Sequence, residues 1–204
     1  MDVVWAIDVS NRLLPAGDLA DFAARCDYIQ ESIAEDYEIK KSCYRQLDGL
    51  ADPSILIGSS TSGLLMTEIQ KVMRTPQRAF IAHPFTPPHL VPLVELVPGN
   101  KTGPDVLTDA AAFFTSLGKI PVILKKEVPG HIANRLAAAL WREAIHLAAE
   151  GVADVEDIDK ALYAGPGLRW AIMGQHLTYH LGGGEGGYRH FIEKIGNSFE
   201  EYWK

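Results

Sequence analysis

Between Asp27 and Lys126, short β-branched apolar runs alternate with stretches whose apolar residues recur at helical spacing, and this alternation constrains the fold more than any other feature. Asp27-Tyr28-Ile29-Gln30, Ser54-Ile55-Leu56-Ile57, Ala79-Phe80-Ile81-Ala82 and Ile120-Pro121-Val122-Ile123-Leu124 read as buried strands, being brief and bounded by turn residues. Residues 36–50, 67–73 and 104–117 read as the helices between them, the last with Pro104 in its first turn and Gly118 just past its end. Helices inserted between successive strands act as crossovers, so the spacing predicts a parallel α/β sheet. Ligands of such sheets bind outside the carboxyl ends of the strands.

At Glu127 the texture changes. Val128-Pro129-Gly130 is a break, after which residues 131–150 place Ile132, Leu136, Leu140, Ala144 and Leu147 on one helical face. Asp154 stands where it would cap a helix over 155–164, with Asp157 at the capping-box position. A third helix follows Pro166, and residues 188–204 are amphipathic. Two domains are expected: an α/β part over 1–126 and an all-helical part over 127–204.

A net charge of -7, with Lys and Arg dispersed, argues against nucleic acid or an anionic membrane as the main partner. No apolar run approaches the roughly 18 residues of a membrane span. Met1-Asp2-Val3-Val4-Trp5 lacks the basic region of a secretory signal, and Cys26 and Cys43 are isolated thiols, so a reducing cytoplasm is the expected compartment.

Three stretches carry chemistry. His83-Pro84-Phe85-Thr86-Pro87-Pro88 and the following apolar run set His83 and Glu95 at the two ends of a proline-stiffened loop. A turn there would bring them within hydrogen-bond reach, and a carboxylate on one imidazole nitrogen orients the other as a general base. Ser59-Ser60-Thr61-Ser62-Gly63 follows a strand, where its hydroxyls can meet a polar ligand or, through Ser62 or Thr67, cap the next helix. Gly182-Gly183-Gly184-Glu185-Gly186-Gly187 satisfies the dinucleotide pattern G-x-G-x-x-G but lies in the helical half, and it reads as a turn between helices. Asn134 stands at the domain junction, facing either the cleft or solvent. His131 and His146 read as satisfying local hydrogen bonds, and no His/Cys/Asp cluster has metal-ligand spacing. Trp141, Trp170, Tyr179 and Tyr188 read as core or interface aromatics.

Taken together, the blocks Gln30-Glu31-Ser32 with Glu35 and Lys40, Ser60-Thr61-Ser62, His83-Pro84-Phe85 with Glu95, and Pro129-Gly130 with Asn134-Arg135 resemble the 3-hydroxyacyl-CoA dehydrogenase superfamily. The segment from Gly165 to Gly174 and the later glycine run are most similar to its L-carnitine dehydrogenase branch, and the gulonate dehydrogenase and λ-crystallin branch is next. The resemblance implies an incomplete Rossmann sheet followed by a helical domain of the 6-phosphogluconate-dehydrogenase type. It implies NAD-dependent oxidation of a 3-hydroxy acid, carnitine or an acyl-CoA, by a homodimer. His83 would abstract the hydroxyl proton, paired with Glu95. Ser62 and Asn134 would bond the reacting oxygen or its neighbours, and Glu35, Lys40 and Ser62 would contact NAD.

If carnitine is the substrate, Trp170, Tyr179 and Tyr188 are candidates to surround its quaternary ammonium, and Arg169 to meet its carboxylate. The chain departs from the resemblance at Thr86, where Asn is usual, and at His131, where many relatives carry Phe. The family opens with a strand, a glycine fingerprint and an acidic ribose ligand, none of which precedes Met1-Asp2-Val3. An incomplete nucleotide domain is therefore expected, with a non-catalytic remnant as the competing reading.

Overall fold

A computed structural model describes residues 10–203, so the stretch from Met1 to Trp5 lies outside the described residues. Contacts divide the chain into one unit ending at Ala137 and another starting at Ala138. The first holds α1 (Leu19–Ala24), β1 (Tyr28–Glu31), α2 (Tyr37–Leu50), β2 (Leu56–Ser59), α3 (Met66–Gln70), β3 (Ala79–Pro84), β4 (Leu93–Pro98), α4 (Val106–Ser116) and β5 (Ile120–Ile123). Helix α5 (Ala133–Ala149) begins in it.

The strands form one sheet in the order β1-β2-β3-β4-β5, parallel except between β3 and β4. The parallel α/β sheet expected from the sequence is thus present, with one antiparallel pair, β3–β4, within it. The segment ending at Val97, read as part of a loop, contains strand β4. Only residues 85–92 separate β3 from β4, whereas a parallel crossover needs about a dozen residues or more. The chain therefore doubles back as a hairpin, closed by the Phe85 amide donating to the Leu93 carbonyl at 3.0 Å.

Side chains alternate across the sheet, as the two-residue period of strands requires. Ile29, Ile57, Ile81 and Val97 pack on one side with Tyr44 and Leu47 of α2 and Met66 and Ile69 of α3. Phe80, Ala82, Val94 and Leu96 pack on the other with Leu107, Ala110 and Phe114 of α4. Asp36 starts α2 by accepting from the Glu38 and Ile39 amides at 2.9 and 3.0 Å, and Gly118, at φ 75°, ends the α4 turn in a conformation that favours glycine.

The second unit continues with α6 (Val155–Ala164), α7 (Pro166–Trp170), α8 (Gln175–Gly182) and α9 (Gly187–Tyr202). Asp154 stands at the start of α6, but its side chain makes no cap bond; its carbonyl accepts from the Asp157 amide instead. The run 182–187 turns from one helix into another, with Gly184 and Gly187 both at φ 58°. Among the described residues of this unit only Gly183 and Gly187 are buried.

Candidate active site

Because β3 and β4 are antiparallel, His83 and Glu95 stand directly opposite each other in the ladder. Their proximity comes from strand register rather than from a loop. His83 Nδ1 lies 3.0 Å from Glu95 Oε2, and both side chains are buried. The second carboxylate oxygen accepts from the Ile132 and Ala133 amides at 2.8 and 2.9 Å, so Glu95 also receives the orphan donors at the start of α5. Burial alone would raise the Glu95 carboxyl, but the Ala133 amide, His83 and the Ile132 amide together hold it below the usual range. An ionised carboxylate only accepts. His83 Nδ1 therefore carries a proton, and in the neutral imidazole Nε2 is the nitrogen that keeps a lone pair.

The hydroxyl-rich loop after β2 is gripped by Glu35. Glu35 Oε1 accepts from Thr61 Oγ1 at 2.5 Å and from the Ser62 and Gly63 amides at 3.0 and 3.2 Å. Burial opposes ionisation of Glu35, and the Thr61 hydroxyl, the Lys40 ammonium and these amides outweigh it, lowering its pKa. Lys40 is buried, bonded to Glu31 Oε1 at 2.7 Å and to the Ile33 carbonyl at 3.2 Å, and it lies 3.6 Å from Glu35. Its ammonium thus faces the protein, while the Glu35 side chain remains 45% exposed. Neither Ser62 nor Thr67 caps α3, whose N-cap is Leu65 without a side-chain bond. The Ser62 side chain is exposed, and its carbonyl accepts from Asn134 Nδ2 at 3.2 Å. Glu35, Lys40, Ser62, His83, Glu95 and Asn134 therefore gather around the carboxyl ends of β1, β2 and β3 and the start of α5.

His131 belongs to the same cluster; the sequence reading gave it only a local hydrogen bond, whereas its partner lies seventy residues away. It is fully buried, its ring centroid is 5.2 Å from that of His83, and its Nε2 lies 3.0 Å from the Thr61 carbonyl. The available signal was its position between the Pro129-Gly130 break and the helix that Glu95 caps.

In the helical unit, Trp170, Tyr179 and Tyr188 line one cleft of about 610 Å³ with Phe199, Trp203 and Glu200. Tyr179 stacks on Phe191 at 4.4 Å, and Trp170 Nε1 donates to Gln175. Arg169 is exposed on α7 and is not among the residues lining that cleft.

The model of the 3-hydroxyacyl-CoA dehydrogenase NAD binding domain matches residues 6–128, and that of the 3-hydroxyacyl-CoA dehydrogenase C-terminal domain matches residues 130–203. The chain belongs to the 3-hydroxyacyl-CoA dehydrogenase family. It is 43% identical to the L-carnitine dehydrogenase of Streptomyces coelicolor over 95% of its own length and 61% of that protein's. It is also 43% identical to the L-carnitine dehydrogenase of Pseudomonas putida, over 95% and 60% of the respective chains. The chain thus spans about three-fifths of the length of these relatives.

Among solved structures, 5-formyl-3-hydroxy-2-methylpyridine 4-carboxylic acid 5-dehydrogenase, described as an NAD+-dependent dismutase, aligns with a TM-score of 0.82 at 34% identity. That alignment covers 91% of this chain and 58% of the other. For 3-hydroxybutyryl-CoA dehydrogenase of Escherichia coli K12 the TM-score is 0.75 at 32% identity, covering 81% and 34%. The folding of this family member into a mixed sheet followed by helices agrees with both. Among its described residues no helix is long and apolar enough to cross a membrane.

Proposed function

We propose that this chain carries the base and the nicotinamide-proximal part of an NAD-dependent 3-hydroxy acid dehydrogenase, with L-carnitine as substrate. The observation that carries the reading is the buried line from the start of α5 through Glu95 to His83, which puts a proton on His83 Nδ1 and leaves Nε2 as the ring nitrogen able to accept one. Glu95 fixes the tautomer. His83 Nε2 takes the hydroxyl proton, and the resulting imidazolium is stabilised by the carboxylate on its other nitrogen. Because the α5 amides keep Glu95 ionised, the proton stays on the imidazole. Ser62 and Asn134 position the reacting oxygen, their two segments tied by the Asn134–Ser62 bond.

NAD, when bound, supplies the hydride acceptor. The residues present suit its nicotinamide end. Glu35 is an ordered, part-exposed carboxylate beside the exposed Ser62 at the carboxyl ends of β1 and β2, where dinucleotides meet α/β sheets. Lys40 acts through Glu35, its ammonium being engaged inward. The only G-x-G-x-x-G run among the described residues, 182–187, joins two helices, so it is unsuited to the pyrophosphate.

Carnitine is favoured by the two relatives named L-carnitine dehydrogenase and by the cleft of the helical unit, where Trp170, Tyr179 and Tyr188 converge with Glu200. Aromatic faces suit a quaternary ammonium, which cannot donate a hydrogen bond. A homodimer and a boundary near residue 126 complete the reading. Apolar side chains such as Trp141 and Ile145, 70% and 52% exposed, give the helical unit a surface that a second copy would bury.

Calorimetric titration of NAD, followed by NADH formation with carnitine against 3-hydroxybutyryl-CoA or L-gulonate, tests the proposal. Micromolar binding and turnover of carnitine are expected. No binding at millimolar nucleotide would establish the non-catalytic remnant instead, and turnover of a different hydroxy acid would replace carnitine.

A further inference from the structure

We propose that His131 is a positioning residue of this site, clamping the Ser62 loop to the ring that packs on the base; the inference rests on the reading of His83 above. His131 is fully buried, immediately precedes the amide pair that Glu95 holds, and adopts φ 51°. This left-handed conformation is uncommon for residues other than glycine, and His tolerates it better than most. Its ring lies 5.2 Å from the His83 ring, with the planes inclined at 58°. Nε2 meets the Thr61 carbonyl at 3.0 Å, and a carbonyl can only accept, so Nε2 bears the proton. Nδ1 is buried without a partner.

That orphan nitrogen separates a positioning role from plain packing. A phenyl ring would fill nearly the same volume and rest on His83 without burying an unpaired acceptor, which is unfavourable. What imidazole adds is the bond to Thr61, seventy residues away along the chain. The next carbonyl, that of Ser62, is held by Asn134 from the same entrance to α5. Glu35 grips the opposite side of the loop through Thr61 Oγ1 and the Ser62 and Gly63 amides. The loop is thereby held from both sides, and the ring that holds it on the α5 side is the one against the base. His131 thus ties the placement of Ser62 to that of His83 while touching no reacting atom.

The test uses the whole chain, labelled with nitrogen-15. Imidazole NMR is expected to show His131 protonated at Nε2 and bare at Nδ1. His131→Phe is expected to raise amide hydrogen exchange at Ser62, Gly63 and Leu64 by about 2- to 13-fold, the equivalent of losing one ordinary hydrogen bond, and to leave Ile57 and Ile81 in the sheet unchanged. His131→Gln, which can still donate to the Thr61 carbonyl, should restore the loop's protection. The opposite tautomer, unchanged loop exchange, an equal rise throughout the sheet, or failure of Gln to restore protection would each overturn the clamp. If the Phe variant does not fold, the tautomer and the Gln variant decide. None of these readouts needs nucleotide or turnover. Failure of NAD binding would therefore remove the role of His83 and leave the clamp standing, while loss of the clamp with NAD binding intact would do the reverse.

Discussion

Glu95→Gln changes one atom type in a carboxylate with two commitments, and the structure dictates which way the new amide must turn. Two donors, the Ile132 and Ala133 amides, converge on Oε1. A glutamine NH2 placed there would set donors against donors, so the amide oxygen stays at the helix start and the NH2 points at His83 Nδ1. That nitrogen must then accept, and the proton moves to Nε2, the atom proposed to take the substrate's proton. A general base contributes about 10²- to 10⁴-fold, so kcat should fall by that factor, equivalent to about 3–5 kcal/mol.

Stability should suffer less in the same variant. The hydrogen bonds are kept and only the charge at the start of α5 is lost, a change worth up to about 2 kcal/mol. Imidazole nitrogen-15 shifts read the tautomer directly and pH–rate profiles read the base. A Glu95→Gln chain with His83 still protonated at Nδ1, or with kcat within a few-fold of wild type, would refute the reasoning.

Other perturbations follow from the same geometry. Glu95 sits below the usual carboxylate range in the folded chain, so the unfolded chain binds its proton first on acidification. Its contribution is complete above the ordinary carboxylate range and is lost as pH falls towards the lowered folded value; urea denaturation across acid pH should show a shallower decline for Glu95→Gln than for wild type. Lys40→Met leaves the buried Glu31 carboxylate without its cation and should cost about 3–5 kcal/mol, much of it recovered in Glu31→Gln/Lys40→Met, as denaturant midpoints would show. Trp170→Ala should raise the carnitine KM by about 2- to 30-fold, matching about 0.5–2 kcal/mol for one ring on a cation; an unchanged KM would remove Trp170 from substrate binding.

Much of this architecture was legible because it rests on local signals. Brief apolar runs locate β1, β2, β3 and β5, although β5, read as buried, is an edge strand with Ile120, Val122 and Ile123 exposed; Asp36 marks the start of α2 and Gly118 the end of α4. Strand β4 was missed because it abuts a proline-rich stretch, and a short apolar run is ambiguous until its partner is known. The pairing of His83 with Glu95 was readable as an association, but its cause, the antiparallel register, is a long-range property. His131 was harder still. Its partner Thr61 lies on a separate element, and a lone histidine before a helix gives no local indication that its ring will sit against another imidazole.

These long-range features converge on Glu95, and that makes the site's chemistry inseparable from the fold of this unit. One carboxylate oxygen satisfies the opening amides of α5 while the other orients His83. Glu95→Ala would therefore test two things at once, orphaning two amides at about 1–3 kcal/mol each and releasing the base. Gln separates them because it preserves the acceptor at the helix and reverses only the hydrogen bond to the imidazole. A large loss of turnover in Gln with little loss of stability would assign the chemical role to the Oε2 bond and the structural role to Oε1. Equal losses in both variants would mean that the helix start and the base cannot be uncoupled.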